Sequence, residues 1–289
     1  MVNGRAPAAR AWRHALSFGM HRTSAVASFV LLALAARAGA AQAPLADERS
    51  AYAEWLASAP NSPYRAVAQQ PIGPGIRIAT DGDLPLEGVA EARVTQDGGA
   101  VRLETGGGRR MLPRFRPTSL GRYTLVAGGT PGRAVLTVFD SARTPGAPEY
   151  FAADPSAVFV GRLLPPSAPR VERLLAPDGV EVEATEAGSV LVTLGGATTR
   201  LKVMRIPDPA TGESELEIFF RDSTNAKGTY PAGRFVALAP AGAGRYRLDF
   251  NRARNPFCAY SSAYACPAPW RGNVLPAAIA AGEQYHPKR

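Results

Sequence analysis

Ser189-Val190-Leu191-Val192-Thr193-Leu194, the pair Gly195-Gly196, and Thr198-Thr199-Arg200-Leu201-Lys202-Val203-Met204-Arg205-Ile206 form the stretch whose reading decides the fold. Apolar and polar residues alternate on both sides of the glycines, so the period is two and the element is a strand. The glycine pair between them reads as a turn. Outward from this hairpin the same grammar repeats. Residues 208–212 separate it from a strand at 215–221, and residues 240–244 join strands at 234–238 and 245–250. Upstream, residues 180–185 alternate, 134–139 are apolar enough for a strand covered on both faces, and 123–127 precede them. Asp97-Gly98-Gly99 turns the alternating 90–95 run into 100–105. Only residues 45–59 read as a helix, with Leu45, Tyr52, Trp55 and Leu56 toward one face, Asp47 and Glu48 near the positive end, and Pro60 as the stop. The expected fold is mainly β: two antiparallel β units, as a sandwich or partly open barrel, preceded by one short N-terminal helix. The expected divisions are 1–40 as a cleaved leader, 41–75 as helix and lead-in loop, 76–143 as a first β domain, the Pro-rich 144–148 as linker, and 149–289 as a second β domain.

The first forty residues carry five arginines and no acid, residues 23–36 are apolar or small, and Ala38-Gly39-Ala40 closes the stretch. A basic flank, a short apolar run and a small-residue end make a secretory leader cut before Ala41; the run is short for a membrane span. Met20 begins a complete leader by itself and is an alternative start. The expectation is an exported protein, periplasmic or extracellular, with no membrane span in its mature form. Without residues 1–40 the chain keeps 28 basic and 24 acidic residues, a net charge of +4. Its arginines are scattered rather than gathered in a stripe, so no nucleic-acid partner is expected. Of three histidines, His14 and His21 lie in the leader and only His286 remains. That argues against a histidine triad or a multi-histidine metal site, and neither metal nor cofactor is expected. Gly106-Gly107-Gly108-Arg109-Arg110 lacks the helix and Lys-Ser/Thr pair of a phosphate loop, and Asp81-Gly82-Asp83 has too few ligands for calcium; both read as turns.

From residue 217 onward the wording changes: Phe219-Phe220-Arg221-Asp222-Ser223-Thr224, Thr229-Tyr230-Pro231-Ala232-Gly233-Arg234-Phe235, Asp249-Phe250-Asn251-Arg252, Asn255-Pro256, Cys258-Ala259-Tyr260, Cys266-Pro267, Asn273-Val274-Leu275-Pro276 and Ala281-Gly282-Glu283. This series resembles an uncharacterised bacterial family, domain of unknown function 1684. Upstream the resemblance continues in order at Trp55, Ser62-Pro63 and Gly73-Pro74-Gly75. The chain departs from the family's pattern at Pro256-Phe257, where two prolines are usual, and at Trp270-Arg271-Gly272, within a usually proline-rich stretch. The resemblance implies fold and working surface and supplies no reaction.

Cys258 and Cys266 enclose a nine-residue loop, and with an export leader they read as a structural disulfide worth about 2.5 kcal/mol by chain entropy. A redox dithiol would more usually have two intervening residues. Asp222 and Asp249 each sit where an apolar strand ends, a place where functional groups gather. If those strands are neighbours, Asp222 and Asp249 converge with Arg221, Asn251 and Arg252 beside the cysteine loop. Two carboxylates around an arginine can then divide acid and base roles. The competing reading is that both cap turns and pair with Arg221, Arg234 or Arg252, pinning a long loop. Phe257, Tyr260, Tyr264 and Trp270 crowd the same loop, either as an exposed platform for an envelope polymer or as packing. The candidate binding residues are Arg221, Tyr230, Arg234, Asn251, Arg252, Asn255, Tyr260 and Trp270. Two functions stay open: a non-catalytic exported protein, structural or binding a cell-envelope polymer or small polar ligand, and an envelope hydrolase using Asp222 and Asp249.

Overall fold

The computed structural model describes residues 43–208, 213–268 and 270–287; the leader read at 1–40 and its cleavage point lie outside the described residues. Helix α1 (Leu45–Ser58) starts after Pro44, carries Asp47 and Glu48 in its first turn and ends at Ala59, held extended ahead of Pro60. It buries Tyr52 and Leu56, four residues apart on one face, with Tyr260 of the cysteine loop. No helix among the described residues is long and apolar enough to cross a membrane.

The lead-in is not all loop. Strand β1 (Ala66–Pro71) precedes residue 76 and pairs antiparallel with residues 135–139. After it come β2 (Ile76–Ile78), β3 (Ala92–Asp97), β4 (Ala100–Thr105), β5 (Gly108–Met111), β6 (Thr118–Leu120), β7 (Tyr123–Thr130) and β8 (Arg133–Asp140). They form two four-stranded sheets, ordered β1-β8-β7-β6 and β2-β3-β4-β5. One core lies between them, with Ile78, Val94 and Leu103 packed with Leu125 and Leu136. Strand β8 is buried on both faces, as its apolar run predicts, and so is β7. Val126 and Phe139 turn away from that core and pack on Tyr264 of the cysteine loop. The segments 81–83 and 106–108 are turns: the Arg77 amide donates to Asp83 at 2.8 Å, and Thr105 pairs with Gly108.

The second half contributes β9 (Val158–Arg162), β10 (Val171–Leu175), β11 (Glu181–Leu194), β12 (Ala197–Pro207), β13 (Ser214–Phe220), β14 (Arg234–Pro240) and β15 (Arg245–Asp249). They form one antiparallel sheet in the order β10-β11-β12-β13-β14-β15-β9. The glycine-pair hairpin is there: Leu194 pairs with Ala197, and Gly195 and Gly196 have φ of 55° and 80°. The runs at 180–185 and 189–194 prove to be one strand. The register shifts between Glu186 and Gly188, and Gly188 (φ 140°) lets the backbone pass close to the carbonyl of Leu164, a residue whose backbone amide and carbonyl both bond the backbone of Ser189. One face of this sheet packs Val192, Leu201, Val203, Ile218, Phe220 and Phe250; the other packs Met204, Phe219, Phe235 and Trp270. The architecture is mainly β and sandwich-like, and no barrel closes among the described residues.

After β15 the chain has only short helical turns and irregular backbone. Such a segment must satisfy its buried carbonyls and amides with side chains. That requirement fixes what most of the polar residues around it do.

Candidate functional site

Asp222 and Asp249 do not share a strand edge, because β14 lies between β13 and β15. Each has its own arginine. Asp222 accepts from Arg234 at 2.9 Å, the Thr224 amide at 2.8 Å and the Ile279 amide at 3.2 Å, and the Asp222 and Arg234 side chains are both fully buried. Arg234 also donates to the carbonyls of Ile279 and Ala281, so the pair clasps the C-terminal segment against the sheet. Burial lowers the Arg234 pKa, and Asp222 opposes that shift. Asp249 accepts from the Asn251 amide and side chain at 3.1 and 2.9 Å, and from Arg247 and Arg252 at 3.2 and 3.3 Å. The two carboxylates have no hydrogen-bond partner in common among the described residues, so the expected convergence does not occur. Both cap the turns that follow their strands.

The other sequence candidates divide in the same way. Asn251 exchanges two 2.8 Å hydrogen bonds with the backbone of Asp154. Arg252 pairs with Glu48 and donates to the Ala43 carbonyl, tying α1 down. Arg221 is exposed, and its backbone bonds Asn273 and Leu275. Trp270 is buried among Phe219 and Phe235 and does not form an exposed platform; Tyr264 is also buried. Cys258 and Cys266 stand at disulfide distance, with Cα atoms 5.5 Å apart, and the Tyr230 hydroxyl lies 3.2 and 3.3 Å from their sulfurs.

Asn255 and Tyr260, by contrast, line a cleft of about 500 Å³. Its walls are the 146–149 end of the linker, the cysteine loop and the tail at 283–287. The linker lies against the Tyr64 ring, where a Cβ on Gly146 would stand 3.0 Å from ring carbons. Tyr64 packs edge-on to Tyr260 at 5.0 Å, and Tyr285 meets Tyr230 edge-on at 4.7 Å.

Glu283 forms part of this cleft and is almost fully buried. It accepts from the Asn255 amide at 2.9 Å and from the Tyr260 hydroxyl at 2.7 and 2.8 Å, and Tyr52 lies 3.2 Å from that hydroxyl. Burial pushes the Glu283 carboxyl up to about 7, against the pull of Asn255, Tyr260 and Arg254. Burial also raises Tyr260 and Tyr52, and the charge on Glu283 adds to both shifts. A carboxyl that titrates near neutrality in a cleft can hold or release a proton, or carry a charge toward a ligand. Asn255 donates from Nδ2 to the Gln284 carbonyl at 2.9 Å, while its buried Oδ1 has no partner among the described residues.

Residues 147–284 match the family model described as Protein of unknown function (DUF1684). The span contains residues 217–283, on which the resemblance was read, and bears it out. It takes in the seven-stranded sheet, the cysteine loop and Glu283, and stops short of the upstream phrases at Trp55 and Gly73. Among solved structures, the solution NMR structure of an uncharacterized protein of Haloarcula marismortui is similar at 28% identity. It covers 48% of this chain and 76% of its own, with a TM-score of 0.40. No curated protein matches.

Sequence reasoning passed over Glu283, Tyr64, Glu149 and Tyr285. One signal was available: Glu283 is the only acid in residues 250–289, at the end of a run of alanines. A lone carboxylate that follows an apolar stretch is either solvated past its end or buried for a reason.

Proposed function

We propose that the chain is an exported, non-catalytic binding protein whose ligand, the end of an envelope polymer or a small polar molecule, seats in the cleft beside the cysteine loop. The observation that carries this reading is the cleft itself: about 500 Å³, within the size of small-molecule sites, lined by tyrosines with a few convergent polar groups. Asp222 and Asp249 are saturated by structural partners away from each other, which supports binding over hydrolysis by that pair. The leader-like N-terminus supports export, and an oxidising compartment would join the cysteine pair into a disulfide.

Isothermal titration of the full-length mature chain against a panel of sugars, amines and carboxylates tests the reading, alongside turnover on cell-wall sugars and ester substrates. The expected outcome is at least one ligand whose affinity drops when Tyr285 is replaced by Ala, with no turnover. Wild-type turnover that disappears in Asp222→Asn or Asp249→Asn while the melting temperature holds would establish the hydrolase instead.

A further inference from the structure

Asn255 is 4% exposed, and its amide is oriented by the bond from Nδ2 to the Gln284 carbonyl. Its Oδ1 is therefore a built acceptor without a donor among the described residues. An unpaired buried acceptor destabilises the fold unless something supplies a donor, so a ligand of this cleft has reason to carry N–H or O–H groups. The charges narrow the choice. The lining holds two carboxylates, Glu149 and Glu283, and its one basic side chain, His286, lies 3.4 Å from Glu149. Among the described residues the lining has no arginine or lysine, so those walls present no basic side chain of permanent charge to an anion. The aromatic rings of Tyr64, Tyr260 and Tyr285 present the kind of surface that attracts cations.

We propose that the cleft takes a primary ammonium group, donating one N–H to Asn255 Oδ1 and placing its charge beside Glu283 and Glu149. The proposal rests on the cleft being the binding surface. A neutral hydroxyl would satisfy Asn255 but leave the Glu283 charge with only the hydrogen bonds it already has, whereas a quaternary ammonium would satisfy Glu283 and leave Asn255 without a donor.

The groups around Glu283 make the choice visible in pH. Facing it are the phenols Tyr52, Tyr64, Tyr150 and Tyr260, none ionised near neutrality. The nearby cations are Arg254, which also interacts with Tyr52, Glu217 and Glu215, and Arg234, which is paired to Asp222. In the empty protein Glu283 takes up a proton near pH 7 because of its burial, and an ammonium beside it would drive that proton off. Affinity for a permanently charged amine should therefore rise about tenfold per pH unit up to about 7 and then level. This amounts to roughly thirtyfold between pH 5.5 and 8.

The test compares 1,5-diaminopentane with 1,5-pentanediol, and a glucosamine trimer with its N-acetylated form, by calorimetry and by amide and side-chain resonances of the full-length mature chain. The diol differs from the diamine in charge at nearly constant shape, and acetylation removes the charge of the sugar amine. The two amines also distinguish an ammonium on a flexible chain from one on a sugar. The expected result is binding of at least one amine with resonance shifts at Tyr64, Tyr285 and His286. Its uncharged analogue should bind at least tenfold more weakly, and the pH dependence should be lost in Glu283→Gln. Glu149→Gln, at an exposed position, should weaken the same amine severalfold with the fold intact. Equal affinity for the diol or the acetylated trimer would overturn the ammonium proposal and leave the cleft as a binding surface. An amine that binds without responding to either substitution would overturn the proposal as well. Silence of all four probes at the cleft residues would overturn both.

Discussion

Glu283→Gln should stabilise the protein above neutral pH and leave it almost unchanged in acid. The unfolded chain gives up the Glu283 proton near the ordinary glutamate value of 4.5, and the folded chain near 7. Between these values the native state binds more protons, so the contribution of Glu283 is fully present below about pH 4.5 and is lost as pH rises through about 7. A difference of that size corresponds to about 3 kcal/mol at 1.36 kcal/mol per unit. Glutamine reproduces the protonated carboxyl: its oxygen can accept from the Asn255 amide, and its nitrogen can donate to the Tyr260 oxygen, whose hydroxyl then turns toward Tyr52. Urea unfolding of wild type and variant at pH 5 and pH 8 isolates this group, even though Glu217 and Asp178, raised by burial to about 8 and about 6, tilt both curves. The gap between variant and wild type should widen by about 2–3 kcal/mol over that interval, or roughly 5–10 °C in melting temperature. Curves that stay parallel from pH 5 to 8 would mean that Glu283 does not titrate there and that burial is not what governs it.

Asp222→Asn leaves Arg234 charged and buried without its counter-ion and should cost about 3–5 kcal/mol by urea titration, whereas Asp249→Asn should cost less because Arg247 is partly solvated. Replacing Cys258 by Ser should lower stability by about 2.5 kcal/mol under oxidising conditions and by nothing measurable once wild type has been reduced. Gly282 has φ of 80°, and a Cβ there would lie 2.6 and 2.7 Å from the carbonyls of Phe250 and Ala253. Gly282→Ala should therefore displace the tail, and hydrogen exchange should speed up first at residues 279–285.

The alternating runs and glycine pairs were enough to read the hairpins β3/β4 and β11/β12, because register and turn there are both local properties. Strands β1, β2, β5, β6, β9 and β10 escaped notice; each lies at a sheet edge and pairs on one side only. Gln69-Gln70-Pro71 has no buried face to impose a pattern, and the open ladder of β8 makes it a strand. The choice between the two readings of Asp222 and Asp249 could have been made from the sequence. The run at 234–238 lies between theirs in sequence, and consecutive antiparallel strands joined by short connections tend to pair in order. That reasoning alone separates the two carboxylates by a strand. Glu283 carried one local signal, its isolation after an apolar run, but its partners lie in two distant segments, Tyr52 in α1 and Asn255 and Tyr260 beside the first cysteine, so no spacing encodes the site.

What marks the cleft is unused bonding capacity on a concave wall. Residues 250–287 bury little regular structure, and side chains hold them through the backbone. Asn273 accepts from the Lys202 amide at 2.7 Å and donates to the carbonyls of Lys202 and Phe219, Ser261 donates to the Ala66 carbonyl at 2.8 Å, and Arg234 holds the tail. Each of those groups is conformationally fixed by bonds it already makes, and a ligand would have to break them. Asn255 Oδ1 and the Glu283 carboxyl are held just as firmly by their neighbours, yet among the described residues one lacks a donor and the other makes no salt bridge, the cations that act on it, Arg254 and Arg234, being shared with other carboxylates. A binding partner gains most where the site is rigid and its polar groups are incompletely satisfied, because little ordering cost then opposes each new bond. Tyr264 in the cysteine loop also has a buried hydroxyl without a partner among the described residues but lies outside the cleft lining; at the wall shared by Asn255, Tyr260 and Glu283 the combination borders a cleft that a ligand can enter.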